Sequence, residues 1–410
     1  MTARRWQPNR VLVLLLAAGA VAAGTAAFLS VAPNRLLSGQ GLRLAQLPLG
    51  AGGPGWAAQW PLAAVLLSTA VLALAALRFN RRCHPALDAV AAFAAAALLA
   101  GLLALAGQQA SRLAGSQGAL TRVSLGGGFW CLAALAWLAA THALQRLRLG
   151  ATASVLAQAA LWLPVLVLLR SGALDALSLL QELGNKQDVF IAACWRHGQI
   201  VLAALGPALL LGAPLGLAAA RRPALARPLL ALLGAVQTVP SIALFGLLIA
   251  PLAWAGSRWP GWGLQGIGLL PAAIALALYA LLPIVHGVLA GLQQVPADVL
   301  DAATGLGLSP RQRFRQVQVP LALPLWLSAL RVAVVQTVGL AVVAALIGAG
   351  GLGALVFQGL ASSALDLVLL GVVPVVALAL VLDAGLRALS QLASQAVAPS
   401  ATAVRAVLPP

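Results

Sequence analysis

Charge is what this sequence has least of. Asp, Glu, Lys and Arg together make up 8% of its 410 residues, against about 25% in ordinary soluble domains, so the chain lacks a water-facing surface and lipid is its natural solvent. Acids are scarcest, eight in all, and they form no paired-carboxylate, Ser/His/Asp or metal-spaced His constellation of the kind hydrolytic chemistry needs. No catalytic or metal-binding residue is therefore assigned. A Walker A pattern is missing too, so ATP-driven work has to draw on another chain. The cysteines Cys83, Cys131 and Cys194 have no Cys-x-x-Cys spacing and read as packing residues. Aromatics make up 5% of the chain and are not interleaved with the arginines, so the net charge of +17 does not describe a nucleic-acid face. Lys186 is the single lysine, a bias that reads as codon usage.

What abounds is apolar. Hydrophobic residues are 62% of the chain, in runs long enough to cross a hydrocarbon core, which takes about 20 residues of helix. Ten candidate spans follow, at 11–31, 61–77, 86–106, 129–147, 151–169, 200–220, 229–252, 267–290, 321–347 and 367–386. The expected fold class is all-α, a polytopic membrane protein. Arg4, Arg5 and Arg10 before the first apolar run imitate a signal peptide, but more spans follow, so a retained anchor is expected. Short cytoplasmic loops retain arginine. Placing Arg81, Arg82, Arg148, Arg221, Arg222, Arg311, Arg313, Arg315 and Arg405 inside puts both termini in the cytoplasm and leaves Arg35, Arg112 and Arg196 on the far side. The polar stretch 171–196 holds Asp175, Glu182 and Asp188 and divides the chain. It is expected as an outer linker between a five-span extension, 1–170, and a second half, 197–390, with 391–410 as a cytoplasmic tail. Leu177, Leu179, Leu180 and Leu183 within it fit an interfacial stripe or a plain connecting helix equally.

The loop at 292–320 carries the densest local signals. Pro296 can open a first helix, Ala302 and Ala303 give it a small-residue face, and Gly305 and Gly307 permit a break. Ser309 then caps a second helix, with Pro310 at its first position and Gln312 completing a capping box. Pro320 is expected to end that helix. Phe314 and Val317 beside Arg311, Arg313 and Arg315 suit insertion into a groove on a partner protein, or equally an amphipathic helix against anionic headgroups. Residues alone leave both readings open.

The spacing Asp301-Ala302-Ala303, three residues, Gly307, nine residues, Val317, one residue, Val319-Pro320 resembles the EAA loop of ABC-importer permeases. Asp301 stands where that family usually has Glu, and Val317 and Val319 replace Ile and Leu. The segments Gln237-Thr238-Val239-Pro240-Ser241, Tyr279-Ala280-Leu281-Leu282-Pro283 and the glycine run at 348–353 resemble osmoprotectant-importer permeases, which carry glycine betaine, choline and related compounds. The N-terminal Ala32-Pro33-Asn34-Arg35-Leu36 and Gly126-Gly127-Gly128-Phe129-Trp130 are similar to the long YehY variety of that group. The resemblance implies a type I, MetI-like core in the second half, in a bacterial inner membrane. It makes the 301–320 loop the coupling element for a separate nucleotide-binding subunit, which would bind ATP and Mg while this chain binds no cofactor. It also implies a periplasmic solute-binding protein and a second permease, a homologue or another copy.

Each motif has a physical reading beside that one. Pro240 interrupts the backbone ladder inside the seventh candidate span, with Gln237, Thr238 and Ser241 supplying polar groups at the kink, as pathway residues or as plain packing. Gly348, Gly350 and Gly351 fit a gating turn or close helix contact. Arg331 lies well inside a candidate span, so a pathway role competes with snorkelling to the inner face. The main alternative to an ATP-driven importer is an ion-coupled secondary transporter, which would need acids or histidines at the bilayer midplane, where the candidate spans have almost none.

Overall fold

The structure, a computed structural model, describes residues 9–34, 39–47, 56–78, 85–117, 120–147 and 149–397. Arg4, Arg5, Arg35, Arg81, Arg82, Arg148, Arg405, Cys83 and the tail beyond residue 397 lie outside the described residues. Two compact units meet in the sequence between Asn185 and Lys186.

The first unit opens with α1 (Arg10–Thr25), whose first amides are capped by the Asn9 carboxamide oxygen. At 16 residues it is about 24 Å long, shorter than a hydrocarbon core. The apolar run 11–31, expected as one span, divides here: after Ala26 the chain extends into β1 (Ala27–Ala32). Three strands were not legible in the sequence. β1 is the centre of an antiparallel sheet with β2 (Gln40–Arg43) and β3 (Arg122–Leu125), in the order β2-β1-β3. Leu29 faces Leu125 across the β1–β3 pair and is fully buried. Pro33, which has no amide to donate, follows the last residue of β1. The Gly126 amide donates to the Phe28 carbonyl at 2.9 Å, and Phe129 sets its ring edge-on to Phe28 at 5.7 Å, so the glycine-rich start of α4 (Gly127–Arg146) is pinned to the sheet.

Between these come α2 (Trp56–Arg78) and α3 (Pro85–Gln117), then α5 (Ala151–Arg170). The seam of α2, α3 and α4 is rich in small side chains: Ala75, Ala76, Ala91, Ala95, Ala139, Ala140 and Ala143 are all buried. Alanine suits helices that associate in lipid, because there close van der Waals packing has to replace the hydrophobic driving force. Asp88, at the first turn of α3 and buried, pairs with Arg146 at the end of α4 at 3.2 Å.

The stretch expected as a linker is ordered. Leu174 and Leu177 are buried in the first unit, Leu177 bridges to Val123 beside the sheet, and α6 (Ser178–Asn185) follows. Residues from Gln187 onward already belong to α7 (Gln187–Arg221), 35 residues long.

The second unit is organised around α10 (Leu269–Gln293), which α7 and α13 (Val319–Leu340) flank. Ala272, Ala275, Leu276, Ile284 and Val285 on α10 are buried. The remaining helices are α8 (Pro223–Thr238), α9 (Ser241–Arg258), α11 (Ala297–Gly305), α12 (Pro310–Arg313), α14 (Leu352–Ala361) and α15 (Leu365–Val397). The seventh candidate span, 229–252, is therefore two helices broken at Val239 and Pro240, and the ninth, 321–347, ends its α-helix at Leu340. Among the described residues nine helices are long and apolar enough to cross a membrane, with α1 and α14 as shorter apolar helices.

Candidate coupling and pathway sites

The 292–320 loop is two short helices joined by a turn that satisfies its own backbone. α11 ends in a double bond pattern: the Gly307 amide donates to the Thr304 carbonyl at 2.9 Å and the Leu308 amide to the Ala303 carbonyl at 3.2 Å. This is the Schellman closure, and it needs a left-handed residue. Gly307 supplies it with φ of +79°. Ser309 then accepts from the Gln312 amide at 3.4 Å while the Ser309 amide donates to the Gln312 side-chain oxygen at 2.9 Å, so the expected capping box forms. An Arg313 Nη1 donates to the Thr304 hydroxyl at 2.8 Å and ties the two helices together.

Pro320 does not end the second helix. The chain runs on as a continuous rod from Pro310 to Leu340. A π-turn at Phe314–Gln318 precedes the proline, with the Val319 amide reaching back to the Phe314 carbonyl. Widening the helix by one residue there removes the contact between the pyrrolidine ring and the previous turn that would otherwise break it. The second helix of the loop and the apolar helix α13 are thus one element.

Side-chain placement also differs from expectation. Phe314 turns inward, half-buried, with the Arg221 guanidinium 5.7 Å from its ring centre. A cavity of about 500 Å³ beneath the loop is lined by Leu217, Arg221, Gln293, Pro310, Arg313 and Phe314. Of the small pair, Ala303 is buried and Ala302 exposed. The residue that projects is Leu306, 80% exposed at the tip of the turn. Its signal in the sequence was a large aliphatic residue flanked by Gly305 and Gly307. Asp301, Arg311 and Arg315 are exposed around it.

Gln237, Thr238, Pro240 and Ser241 meet at the α8–α9 break. The Gln237 amide donates to the Tyr279 carbonyl at 2.8 Å, and the Tyr279 hydroxyl donates to the Val239 carbonyl. Thr238 turns its hydroxyl back to the Ala235 carbonyl. The chain's only tyrosine thus closes the Val239 carbonyl, a backbone acceptor at the break between α8 and α9, an economical answer to unpaired backbone in lipid. Tyr279 was visible as a lone phenol in an apolar span.

Arg331 does not stand alone. It lies 3.5 Å from Asp383 on α15, and Asp383 is also held by Arg387 at 2.5 Å. Asp383 is the hinge of this trio, so its loss costs more than loss of either arginine. Asp383→Ala leaves two neighbouring cations uncompensated and is expected to lower stability by about 2–3 kcal/mol, whereas Arg331→Gln leaves the Asp383–Arg387 pair intact and should cost roughly 1 kcal/mol. Thermal unfolding of the detergent-solubilised protein, followed by size exclusion, reads the difference; equal losses for the two variants would contradict it.

Gly348, Gly350 and Gly351 form a turn of positive φ after a short 3-10 segment (Val343–Ile347). Arg196 on α7 donates through Nε to the Ala349 carbonyl at 2.9 Å, and the Gly268 amide donates to the Ile347 carbonyl at 2.8 Å. A cavity of about 720 Å³ opens between α7 and α10 beside that turn. Gly348 lines it, but Gln237, Thr238, Pro240, Ser241 and Arg331 do not. The candidate pathway residues therefore fall into three separate places.

Comparison with known proteins decides what such a chain is. Residues 212–395 match the family described as binding-protein-dependent transport system inner membrane component, and residues 8–180 match the ABC transporter permease YehY N-terminal domain. The osmoprotectant import permease protein OsmW of Salmonella typhimurium is 40% identical over 189 residues, which are 46% of this chain and 84% of that protein. This chain belongs to the ABC-importer permeases, in the YehY variety. The permease is also similar to the choline transport system permease protein OpuBB of Bacillus subtilis, 32% identical over 46% of this chain and 81% of that one. The glycine betaine/proline betaine permease protein ProW of Escherichia coli is 34% identical over 46% of this chain and 51% of its own length. The two family matches fall one on each side of the Asn185–Lys186 division. The permease is thus a multi-pass membrane subunit of a transporter.

Proposed function

We propose that this permease imports a small osmoprotectant, a quaternary ammonium compound of the glycine betaine and choline class, and that a separate ATPase subunit drives it by docking on the 301–320 loop. The observation that carries the reading is the unbroken rod from Pro310 to Leu340: a force applied at the loop reaches the membrane through one helix. The substrate class rests on the relatives named above. In this scheme ATP and Mg bind the partner subunit, a solute-binding protein delivers substrate from the periplasmic side, a second permease completes the pathway, and both termini are cytoplasmic. The ion-coupled alternative would need an acid available for protonation at depth, whereas Asp383 on α15 is held between Arg331 and Arg387.

Leu306 is the docking tip in this scheme. A large aliphatic side chain held out into solvent on a rigid turn marks a contact surface for a partner. Leu306→Asp, which would bury an unpaired carboxylate in that contact, is expected to abolish copurification with the cognate ATPase subunit and to lower uptake of labelled glycine betaine about tenfold or more, with the thermal stability of the isolated permease unchanged because the side chain is exposed. Intact copurification and uptake in this variant would refute docking at the loop; uptake of no quaternary ammonium compound by the wild type would refute the substrate class.

A further inference from the structure

The walls of the α7–α10 cavity are aliphatic, with Ala203, Ala208, Leu211 and Leu281 among them, and Arg196 is its one charged lining residue. The guanidinium is held in place by neutral acceptors only: Nε donates to the Ala349 carbonyl at 2.9 Å and Nη1 to the Gln199 side-chain oxygen at 3.1 Å. Among the described residues no acid pairs with it, and no acid lines the cavity. Two of the guanidinium's five donors are used, and the rest remain for a ligand. A cation set against apolar walls without a counter-ion is an unfinished arrangement, completed by an anion that brings its own hydrogen-bond acceptors. A volume of about 720 Å³ falls in the ordinary range for small-molecule sites, which are mostly apolar with a few placed polar groups.

We propose that this cavity is a subsite for small carboxylates, and that Arg196 makes the permease favour carboxylate-bearing osmoprotectants over choline. The proposal rests on the transport reading above for its substrates, though not for its site. A betaine presents a carboxylate that the guanidinium can meet in its own plane, while its methylated ammonium lies against the alanine and leucine walls. Choline offers only a hydroxyl at that end, and its single positive charge is repelled by Arg196. Because Arg196 also holds the Ala349 carbonyl, a bound carboxylate sits beside the 348–351 turn.

The test places a reporter on the wall. Ala203→Cys is made in a background with Cys83, Cys131 and Cys194 replaced, and the permease–ATPase complex is reconstituted in vesicles. Maleimide labelling is then timed with glycine betaine, with choline, and with neither. Glycine betaine is expected to slow labelling about tenfold more than choline. Arg196→Gln should erase that difference and Arg196→Lys, which keeps the charge without the planar fork, should retain part of it. Equal slowing by both compounds, slowing by neither, or an undiminished preference in Arg196→Gln would overturn the proposal. Uptake by the parent complex, with its solute-binding protein added, is measured separately: absent uptake with the labelling preference intact would strike the transport reading and leave the subsite standing.

Discussion

Replacing Gly287 by valine is expected to prevent the second unit from assembling. Gly287 and Gly291 lie one turn apart on α10, on the side that meets α13. A Cβ added at Gly287 would collide with the Cβ of Ala329, and one at Gly291 would come within 2.5 Å of the Trp326 indole nitrogen. Trp326 is fixed in turn, its indole donating to the Val288 carbonyl at 3.3 Å. Ala329 has no rotamer by which to withdraw, so the helices have to separate, and overpacking of this kind costs about 3 kcal/mol or more. Gly212 and Gly216 play the same part on α7, where added Cβ atoms would meet Ile284 and Val288 of α10 at 2.8 and 2.7 Å. The helix trio is thus built on glycine pairs spaced by four, which lets backbones approach closely in lipid. Gly287→Val should give aggregated or degraded protein on size exclusion. Gly287→Ala should be destabilised, and adding Ala329→Gly should restore much of the loss. Gly198→Ala, on α7 with nothing within 4 Å of the new Cβ, serves as the neutral comparison. Failure of the second substitution to rescue the first would show that the contact is not the cause.

Gly307→Val should act on function rather than assembly. No atom lies within 4 Å of a Cβ built at Gly307, but its φ is +79°, so the penalty is purely one of backbone conformation. A non-glycine residue in the left-handed region costs about 1–2 kcal/mol, and a β-branched one more. The loop has no tight core to resist that strain, so the turn is expected to relax, losing the bonds at Thr304 and Ala303 and displacing Leu306. Uptake and copurification should fall in the order glycine, asparagine, alanine, valine, because asparagine tolerates the left-handed region best among the substitutes. The valine variant is expected to lose at least tenfold in uptake while thermal unfolding of the isolated permease shifts little. An asparagine variant no better than valine would show that something other than φ is at stake.

The turn between α11 and α12 was legible in advance because its determinants are local. Ser309 and Gln312 for a box and Pro310 for a first turn act within four residues and appear as read; of the two glycines expected to permit the break, Gly307 makes it with a positive φ while Gly305 closes α11. Pro320 was misread because a proline in an apolar helix need not end it: the π-turn before Pro320 relieves the ring, and α10 and α15 run on through Pro283 and Pro374. The sheet escaped notice because 27–32 is as apolar as the helix before it, and no periodicity separates a short buried strand from the end of a span. Of the pathway candidates, the Gln237–Ser241 kink showed its proline, whereas its closure by Tyr279 belongs to another helix.

Composition and spacing alone established that the chain lives in lipid, falls into two halves and carries a capped helix-turn-helix loop, since hydropathy and caps are properties of neighbouring residues. Only the packed helices decided that Phe314 turns inward and Leu306 out, that Arg331 answers to Asp383, and that Arg196 faces a cavity without an acid to match it. Those facts depend on side chains brought together from distant parts of the sequence, and a pairing energy between such groups exists only after the helices that carry them have packed.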